Sequence, residues 1–238
     1  MLITGSSLKL IEDTKQALQR AFKMKDLGEL KYFLGIEFSR TTEGILMHQM
    51  KYTLELIAEL EESADPLIDQ FAYQKLIGKL LYLNMTRPDI SFSTQTLSQF
   101  LNQPKKSHME VALRVVKYLK RQPGQGILLS SQSDRKVTAF CDADWVACSL
   151  TSKSVTGYMI KIGKSLVSWK VKKQTTLSRS SAEAEYRSMA SIISKLVWLL
   201  GMLKEVDADV ELHVQMYSDS KTAIQIVANP IYHEKQNI

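Results

Sequence analysis

The stretch SVTGYMIKIGKSLVSWKV (154–171) predicts two antiparallel β-strands that meet at a tight turn. β-Branched and aromatic residues recur in each half, and the pair Gly163 and Lys164 between the halves is typical of a short hairpin connection. The preceding stretch KVTAFCDA (136–143) has the same character and predicts a third strand. These three strands set the architecture of the C-terminal half of the chain.

The segments after the hairpin alternate between helix and strand. The apolar pattern predicts a long helix from about Ser181 to Val206, a strand over 212–219 and a short helix over 220–228. The order strand, strand, strand, helix, strand, helix indicates a mixed α/β fold in which helices pack on one sheet.

The N-terminal half is predicted to be α+β and mostly helical. A first helix, with Ser6 or Ser7 as its cap, precedes a hairpin formed by YFLGIEF (32–38) and ILMHQM (45–50) with Gly44 at the bend. Four further helices are predicted over the ranges 52–62, 71–85, 91–102 and 107–121.

A cluster of glycine and proline, RQPGQG (121–126), separates the two halves. We therefore predict an N-terminal domain over 1–122 and a C-terminal domain over 130–238. The polar, proline-containing stretch SADPLIDQ (63–70) is a further predicted linker inside the first half.

The composition is that of a globular protein. Of the 238 residues, 45% are hydrophobic and 24% are charged, which excludes disorder as the dominant state. No apolar run reaches the ~18 residues of a membrane helix, and the N-terminus lacks the pattern of a signal peptide. We expect a soluble, intracellular protein, cytoplasmic or nuclear, without a membrane partner. Cys141 and Cys148 are too few for a disulfide framework and are predicted to be reduced thiols.

Positive charge is concentrated in one part of the chain. The net formal charge is +6, but residues 101–200 carry 17 basic and 6 acidic side chains, and both flanking parts are acidic overall. Trp145, Tyr158 and Trp169 are interleaved with these basic residues. The pattern is typical of a surface that binds a polyanion such as nucleic acid, and equally of a solvated basic face.

Three carboxylates lie at the ends of predicted elements. Asp142 closes the strand VTAFCD, Asp219 closes the strand VQMYSD, and Glu185 lies in the first turns of the long helix. Acids in such places can converge from distant positions, and convergent carboxylates are the ligands that Mg²⁺ prefers. Each of the three has a simpler interpretation, because acids at these places also cap the next element or complement a helix N-terminus.

The spacing of the acids leaves one choice open. Glu183 and Glu185 point to different sides of the helix, so one of the two can join the aspartates, and spacing does not decide which. Asp144 follows Asp142 at strand spacing and shares its face.

Several motifs in order carry a resemblance to a known family. CDADW (141–145) is followed by the segments over 154–190 and 217–235, and the upstream motifs are DLGELKYFLGIEF (26–38), KLIGKLLYLNMTRPDISFS (75–93) and VVKYLK (115–120). The C-terminal motifs resemble the ribonuclease H domain of copia-type retrotransposon Pol polyproteins. The upstream motifs resemble the C-terminal tail of the reverse transcriptase of the same polyprotein.

The resemblance implies a ribonuclease H-like fold that cuts the RNA strand of an RNA:DNA hybrid with Mg²⁺ or Mn²⁺. It places the catalytic, metal-binding acids at Asp142, Glu185 and Asp219. The residues expected to contact nucleic acid are Ser178, Arg179, Ser180, Lys172 and Lys173, and His233 is a candidate for proton transfer. The implied partners are the hybrid and the full-length Pol polyprotein.

The resemblance also implies what this chain lacks. In the family, a further helix with a fourth carboxylate follows the HE motif, whereas this sequence stops at HEKQNI (233–238), so we expect a domain without its last helix. The paired aspartates of the polymerase are absent before MLITGSS (1–7), and DNA synthesis is not expected. The alternative to a nuclease is a non-catalytic, nucleic-acid-binding remnant of the Pol protein.

Overall fold

The computed structural model describes residues 7–62, 69–132, 134–148, 151–208, 210–211 and 213–228. These residues form a mixed α/β protein with seven α-helices and two four-stranded sheets. The elements are, in chain order, α1 (Leu8–Ala21), β1 (Tyr32–Phe33), β2 (Ile36–Thr41), β3 (Gly44–His48), α2 (Met50–Glu62), α3 (Gln70–Leu83), α4 (Ser91–Leu97), α5 (Lys106–Arg121), β4 (Gly126–Ser130), β5 (Val137–Asp144), β6 (Val155–Ile162), β7 (Ser165–Lys173), α6 (Ser181–Glu205), β8 (Gln215–Tyr217) and α7 (Lys221–Ala228). Short 3₁₀ helices lie at Pro88–Ile90 and Ser98–Phe100.

The first sheet has the order β1-β2-β3-β4 and is antiparallel throughout. The predicted hairpin forms its centre as β2 and β3. The stretch 32–38, predicted as one strand, is instead divided by a turn at Leu34 and Gly35 into β1 and the start of β2. At the bend, Gly44 has φ +148°, and a Cβ there would lie 2.0 Å from the carbonyl oxygen of Leu129 on β4. Glycine is required at this position because the backbones approach so closely.

The strand β4 was not predicted. Its sequence GILLS directly follows the turn cluster, and the short apolar run does not show the alternation of a half-buried strand. It becomes a strand through pairing with β3, about 80 residues earlier in the chain, with Ile45 opposite Leu129. Likewise, the helix predicted over 91–102 ends at Leu97, and the strand predicted over 212–219 is confined to Gln215–Tyr217 in the described residues.

The helices α2 to α5 enclose the first hydrophobic core. Its central side chains, such as Ile77, Leu80 and Leu119, are completely buried. Arg87 is buried with them and forms an ion pair of 2.7 Å with Asp89. Burial opposes ionisation of Asp89, but the hydrogen bonds from Arg87 and Tyr118 hold its pKa below the usual value. This ion pair lies in the connection between α3 and α4 and stabilises it.

The second sheet has the order β7-β6-β5-β8, with β8 parallel to β5 and the other pairs antiparallel. The helices α6 and α7 contribute to a core on one face of this sheet. Along β5, residues 137, 139, 141 and 143 are buried, whereas Asp142 and Asp144 are exposed on the opposite face. The three predicted strands and the long helix are therefore present.

The two cores are connected by direct contacts. The indole Nε1 of Trp169 on β7 donates to the carbonyl oxygen of Asn84 at 3.0 Å, and the backbone N–H of Ser130 donates to the Ser165 hydroxyl at 2.9 Å. The division into domains 1–122 and 130–238 stays a prediction. None of the helices in the described ranges is long and apolar enough to cross a membrane.

Trp169→Phe is expected to lower the free energy of unfolding by about 1 kcal/mol, because it removes the hydrogen bond to Asn84 while keeping an aromatic ring. Trp198→Phe is the matched control, since Trp198 is 55% exposed. The free energy of unfolding of both variants is measured by urea denaturation, monitored by circular dichroism. Equal stability of the two variants would show that the contact between the cores contributes nothing measurable.

Candidate functional site

Three acidic side chains from distant parts of the chain meet at one edge of the second sheet. One carboxylate oxygen from each of Asp142, Glu185 and Asp219 lies within 4.8 Å of the other two. Among the described residues, this is the one cluster of at least three His, Cys, Asp or Glu side chains with such spacing. We call it the acidic cluster.

The sheet register brings the two aspartates together. β5 and β8 are parallel neighbours, with Phe140 opposite Tyr217. Asp142 comes two residues after Phe140, and Asp219 comes two residues after Tyr217. The carboxyl ends of both strands therefore reach the same edge. The rings of Phe140 and Tyr217 stack with centroids 5.2 Å apart and support this pairing.

The helix α6 is tied to β5 at two points, and this positions Glu185. Glu185 Oε1 accepts the backbone N–H of Ala143 at 3.0 Å, and the Ser188 hydroxyl donates to the carbonyl oxygen of Asp142 at 2.9 Å. These contacts hold the first turns of the helix against the end of the strand.

Glu185 is buried, whereas Asp142 and Asp219 are exposed. Its second oxygen, Oε2, is buried without a hydrogen-bond partner. Burial raises the pKa of Glu185 to about 7; the Ala143 N–H opposes this, and the charges of Asp142 and Asp219 add to it. A buried carboxylate with an unpaired oxygen beside two further acids is stabilised by a cation, so the donor set fits a divalent metal ion.

The neighbouring glutamate has a different role in the structure. Glu183 Oε2 accepts the backbone N–H of Arg179 at 2.7 Å, and its Oε1 pairs with Arg187 at 2.7 Å. Burial acts against ionisation, but these hydrogen bonds lower the pKa of Glu183. The structure thus brings Glu185, and not Glu183, to the aspartates. Asp144 lies on the same face as Asp142 but outside the cluster.

The thiol of Cys141 lies beside the acidic cluster. It donates to the carbonyl oxygen of Tyr217 at a sulfur to oxygen distance of 3.7 Å. Burial, followed by the charge of Glu185, raises the pKa of Cys141 to about 11. The free thiol is therefore protonated at neutral pH and is a weak nucleophile.

Two serines expected to contact nucleic acid form hydrogen bonds inside the protein. The Ser178 hydroxyl donates to Gln174 Oε1 at 2.8 Å, and the Ser180 hydroxyl accepts the backbone N–H of Glu183 at 3.2 Å as the N-cap of α6. Arg179 is exposed next to them. The expectation that these residues contact nucleic acid stays a prediction.

The two lysines on β7 differ in their surroundings. Lys172 is exposed, and Lys173 is half-buried with its Nζ 3.3 Å from Gln99 Oε1. Their expected contact with nucleic acid also stays a prediction. His233 lies outside the described residues.

The fold and the acidic cluster define a mixed α/β protein with a candidate site for a divalent cation. Residues 1–65 match the reverse transcriptase (RNA-dependent DNA polymerase) family. Over 99% of its length, the chain is 34% identical to the retrovirus-related Pol polyprotein from transposon RE2 of Arabidopsis thaliana, and it spans 17% of that protein.

Two shorter relatives are covered over most of their length. An uncharacterized mitochondrial protein of Arabidopsis thaliana is 33% identical, with 83% of this chain and 90% of the relative aligned. A putative transposon Ty5-1 protein of Saccharomyces cerevisiae is 30% identical, with 82% of this chain and 71% of the relative aligned. The chain belongs to the copia-type retrotransposon Pol polyprotein family. No solved structure matches it significantly.

Proposed function

We propose that the C-terminal part of this Pol polyprotein fragment, residues 130–238, is a ribonuclease H-type nuclease that cuts the RNA strand of an RNA:DNA hybrid. In this proposal, residues 1–122 are the C-terminal remnant of a reverse transcriptase. The observation that carries the proposal is the convergence of Asp142, Glu185 and Asp219 within 4.8 Å. The order of the motifs around these residues supports the substrate.

The acids would hold Mg²⁺ or Mn²⁺ through their carboxylate oxygens. Glu185 would contribute the oxygen that has no hydrogen-bond partner, while Ala143 keeps the other oxygen in place. A bound divalent cation supplies activation of water and neutralisation of the charge that develops on a phosphodiester. The protein itself contributes a fixed arrangement of negative charge at a sheet edge, built before substrate arrives.

The two aspartates are exposed, so a phosphodiester can reach the cluster from solvent. The helix α6 begins immediately beside it, where the exposed guanidinium of Arg179 forms no ion pair with any residue that the structure describes. Positive side chains next to a metal site favour the approach of a phosphate backbone, and hydroxyls and N–H groups then position it.

The proposal is tested by cleavage of end-labelled substrates of one sequence. Wild-type protein with Mg²⁺ or Mn²⁺ is expected to cut the RNA strand of the hybrid and to spare single-stranded RNA, duplex RNA and duplex DNA. Chelation by EDTA is expected to abolish cleavage. Equal cleavage of hybrid and single-stranded RNA, or cleavage that persists in EDTA, would contradict the proposal.

The second candidate function is binding of nucleic acid without cleavage. It is favoured by the excess of basic side chains over residues 101–200, which exists independently of the acidic cluster. Binding of this kind needs no metal and weakens steeply with salt, because it is driven by counterion release. Hybrid that is bound in this way but remains intact with either cation would support this function instead of the nuclease.

A further inference from the structure

A groove lies between the helix α6 and the edge strand β7, with a volume of about 500 Å³. Its floor is the face of the sheet that α6 covers. The register places Lys172 opposite Thr156 and Lys170 opposite Tyr158, so both lysines project to this face at the sheet edge. We call this feature the α6–β7 groove.

Among the residues that the structure describes, the groove is lined by cations and by no Asp or Glu. The cationic side chains on this face are Lys170, Lys172, Arg187 and Lys195. Lys173 also borders the groove, but its side chain alternates to the opposite face of β7, where its Nζ donates to Gln99 Oε1. Arg187 forms an ion pair with Glu183, but none of the three lysines that face the groove forms a salt bridge with any residue in the described ranges. Most of the other lining side chains carry hydroxyl groups, as Thr156 and Ser191 do. Unpaired ammonium groups together with hydroxyl donors suit the oxygens of phosphate groups.

The groove begins next to the acidic cluster but shares no residue with it. Thr156 in the groove is the strand partner of Ala143, whose backbone N–H bonds to Glu185. From Arg187 the groove follows α6 to Trp198, a distance of about 16 Å at 1.5 Å per residue. This length accommodates several consecutive phosphates rather than a single anion.

The far end of the groove offers an aromatic surface. Trp198 is 55% exposed, and Lys195 Nζ lies 3.5 Å from the centroid of its ring. Grooves that combine backbone-tracking cations with an exposed aromatic ring are typical of surfaces that bind a nucleic-acid strand. Arg187, Lys195 and Trp198 were not predicted as binding residues, although their successive spacings of eight and three residues place them along one side of a helix.

We infer that the α6–β7 groove binds the sugar-phosphate backbone of a nucleic-acid strand that extends away from the acidic cluster. The inference rests on the proposed function for the class of ligand and adds a second contact surface for it. It requires neither a bound metal nor cleavage, so it can fail or succeed separately from the nuclease proposal.

The test is fluorescence anisotropy with a labelled hybrid and a labelled single-stranded DNA, in EDTA, over a series of salt concentrations. Lys170→Gln/Lys172→Gln removes two exposed cations from the groove. We expect affinity for the single strand to fall roughly 10- to 30-fold at about 0.1 M salt, and the slope of log K against log salt to lose about 1.4, at about 0.7 per phosphate contact.

Lys117→Gln/Lys164→Gln is the matched control, since it removes the same charge from two exposed lysines outside the groove. We expect this control to change the affinity and the slope much less. Equal weakening by both double variants would assign binding to general surface charge and overturn the inference. Unchanged affinity of the groove variant, or no binding by wild type, would also overturn it.

Acetylation of wild-type lysines, followed by mass spectrometry, tests the inference without any variant. Bound single-stranded DNA is expected to protect Lys170, Lys172 and Lys195 from the reagent and to leave Lys164 reactive. Competition with inorganic phosphate and with a nucleoside triphosphate separates a strand from a small anion as the ligand. If either small anion displaces the DNA at a concentration equal to that of the oligonucleotide, the groove is not a strand-binding surface.

Discussion

Asp142→Asn is expected to lower the rate of RNA:DNA hybrid cleavage roughly 100- to 1,000-fold, the loss typical of removing a group that stabilises charge at a reacting centre. Asparagine keeps the shape of the side chain at the end of β5 but removes the negative charge that faces Glu185 and Asp219. Cleavage is measured with saturating Mg²⁺, and hybrid binding is measured in EDTA. We expect binding in EDTA to be retained.

Asp144→Asn is the matched control for this experiment. Asp144 lies two residues further along the same strand, on the same face and also exposed, but outside the acidic cluster. Its replacement removes the same charge and is expected to leave cleavage near the wild-type rate. A similar loss in both variants would mean that cleavage responds to overall surface charge, and an active Asp142→Asn would remove this residue from the reaction.

The position of the two aspartates could be predicted from local sequence, but their meeting could not. Each closes an apolar strand, and this is visible in VTAFCD and VQMYSD. Their meeting requires β5 and β8 to be parallel neighbours in one particular register. This pairing depends on how the intervening chain, β6, β7 and α6, packs, and the local sequence does not specify it. The strand β4 shows the same limit, because its partner β3 lies far away in the chain.

The choice between Glu183 and Glu185 was left open by spacing, and burial along the helix decides it. The buried residues of α6 include 185, 188, 189, 192, 196 and 199, which recur at helical spacing along one stripe. Glu185 lies on this stripe and Glu183 does not. A carboxylate in the apolar stripe of a helix is unusual, because an ionised group is costly to bury without a partner. The burial seen in the structure therefore distinguishes Glu185 from Glu183, whereas the sequence also has apolar residues on the side of Glu183, such as Ile193 and Val197, and leaves the choice open.

Glu185→Gln is expected to raise the free energy of unfolding by about 1–3 kcal/mol at pH 8 without divalent cations, because it removes a buried charge that has an unpaired oxygen. An amide can still accept the Ala143 N–H and can donate to the neighbouring aspartates. Since burial raises the pKa of Glu185 to about 7 in the folded protein, wild-type stability falls as the pH rises through that value. The advantage of the variant should therefore disappear near pH 5.

Glu183→Gln, on the same helix, is expected to change the free energy of unfolding in the opposite direction. Glu183 is paired with Arg187 and with the backbone N–H of Arg179, and its pKa is lowered, so its ionised form stabilises the fold. Neutralising it is expected to lower the free energy of unfolding by about 1 kcal/mol at pH 8. Two isosteric changes two residues apart should thus shift thermal unfolding in opposite directions.

Addition of Mg²⁺ or Mn²⁺ extends this comparison to the proposed metal site. A cation that binds the folded protein at about 100 times its Kd adds about 2.7 kcal/mol to the free energy of unfolding. We expect this gain in wild type and in Glu183→Gln, and its loss in Glu185→Gln, because the unpaired oxygen of Glu185 is the group that the cation satisfies. Calorimetry with and without the cation measures all three proteins. A full cation-dependent gain in Glu185→Gln would show that the cation binds elsewhere, and destabilisation of the metal-free Glu185→Gln protein would show that the buried carboxylate already has a compensating partner.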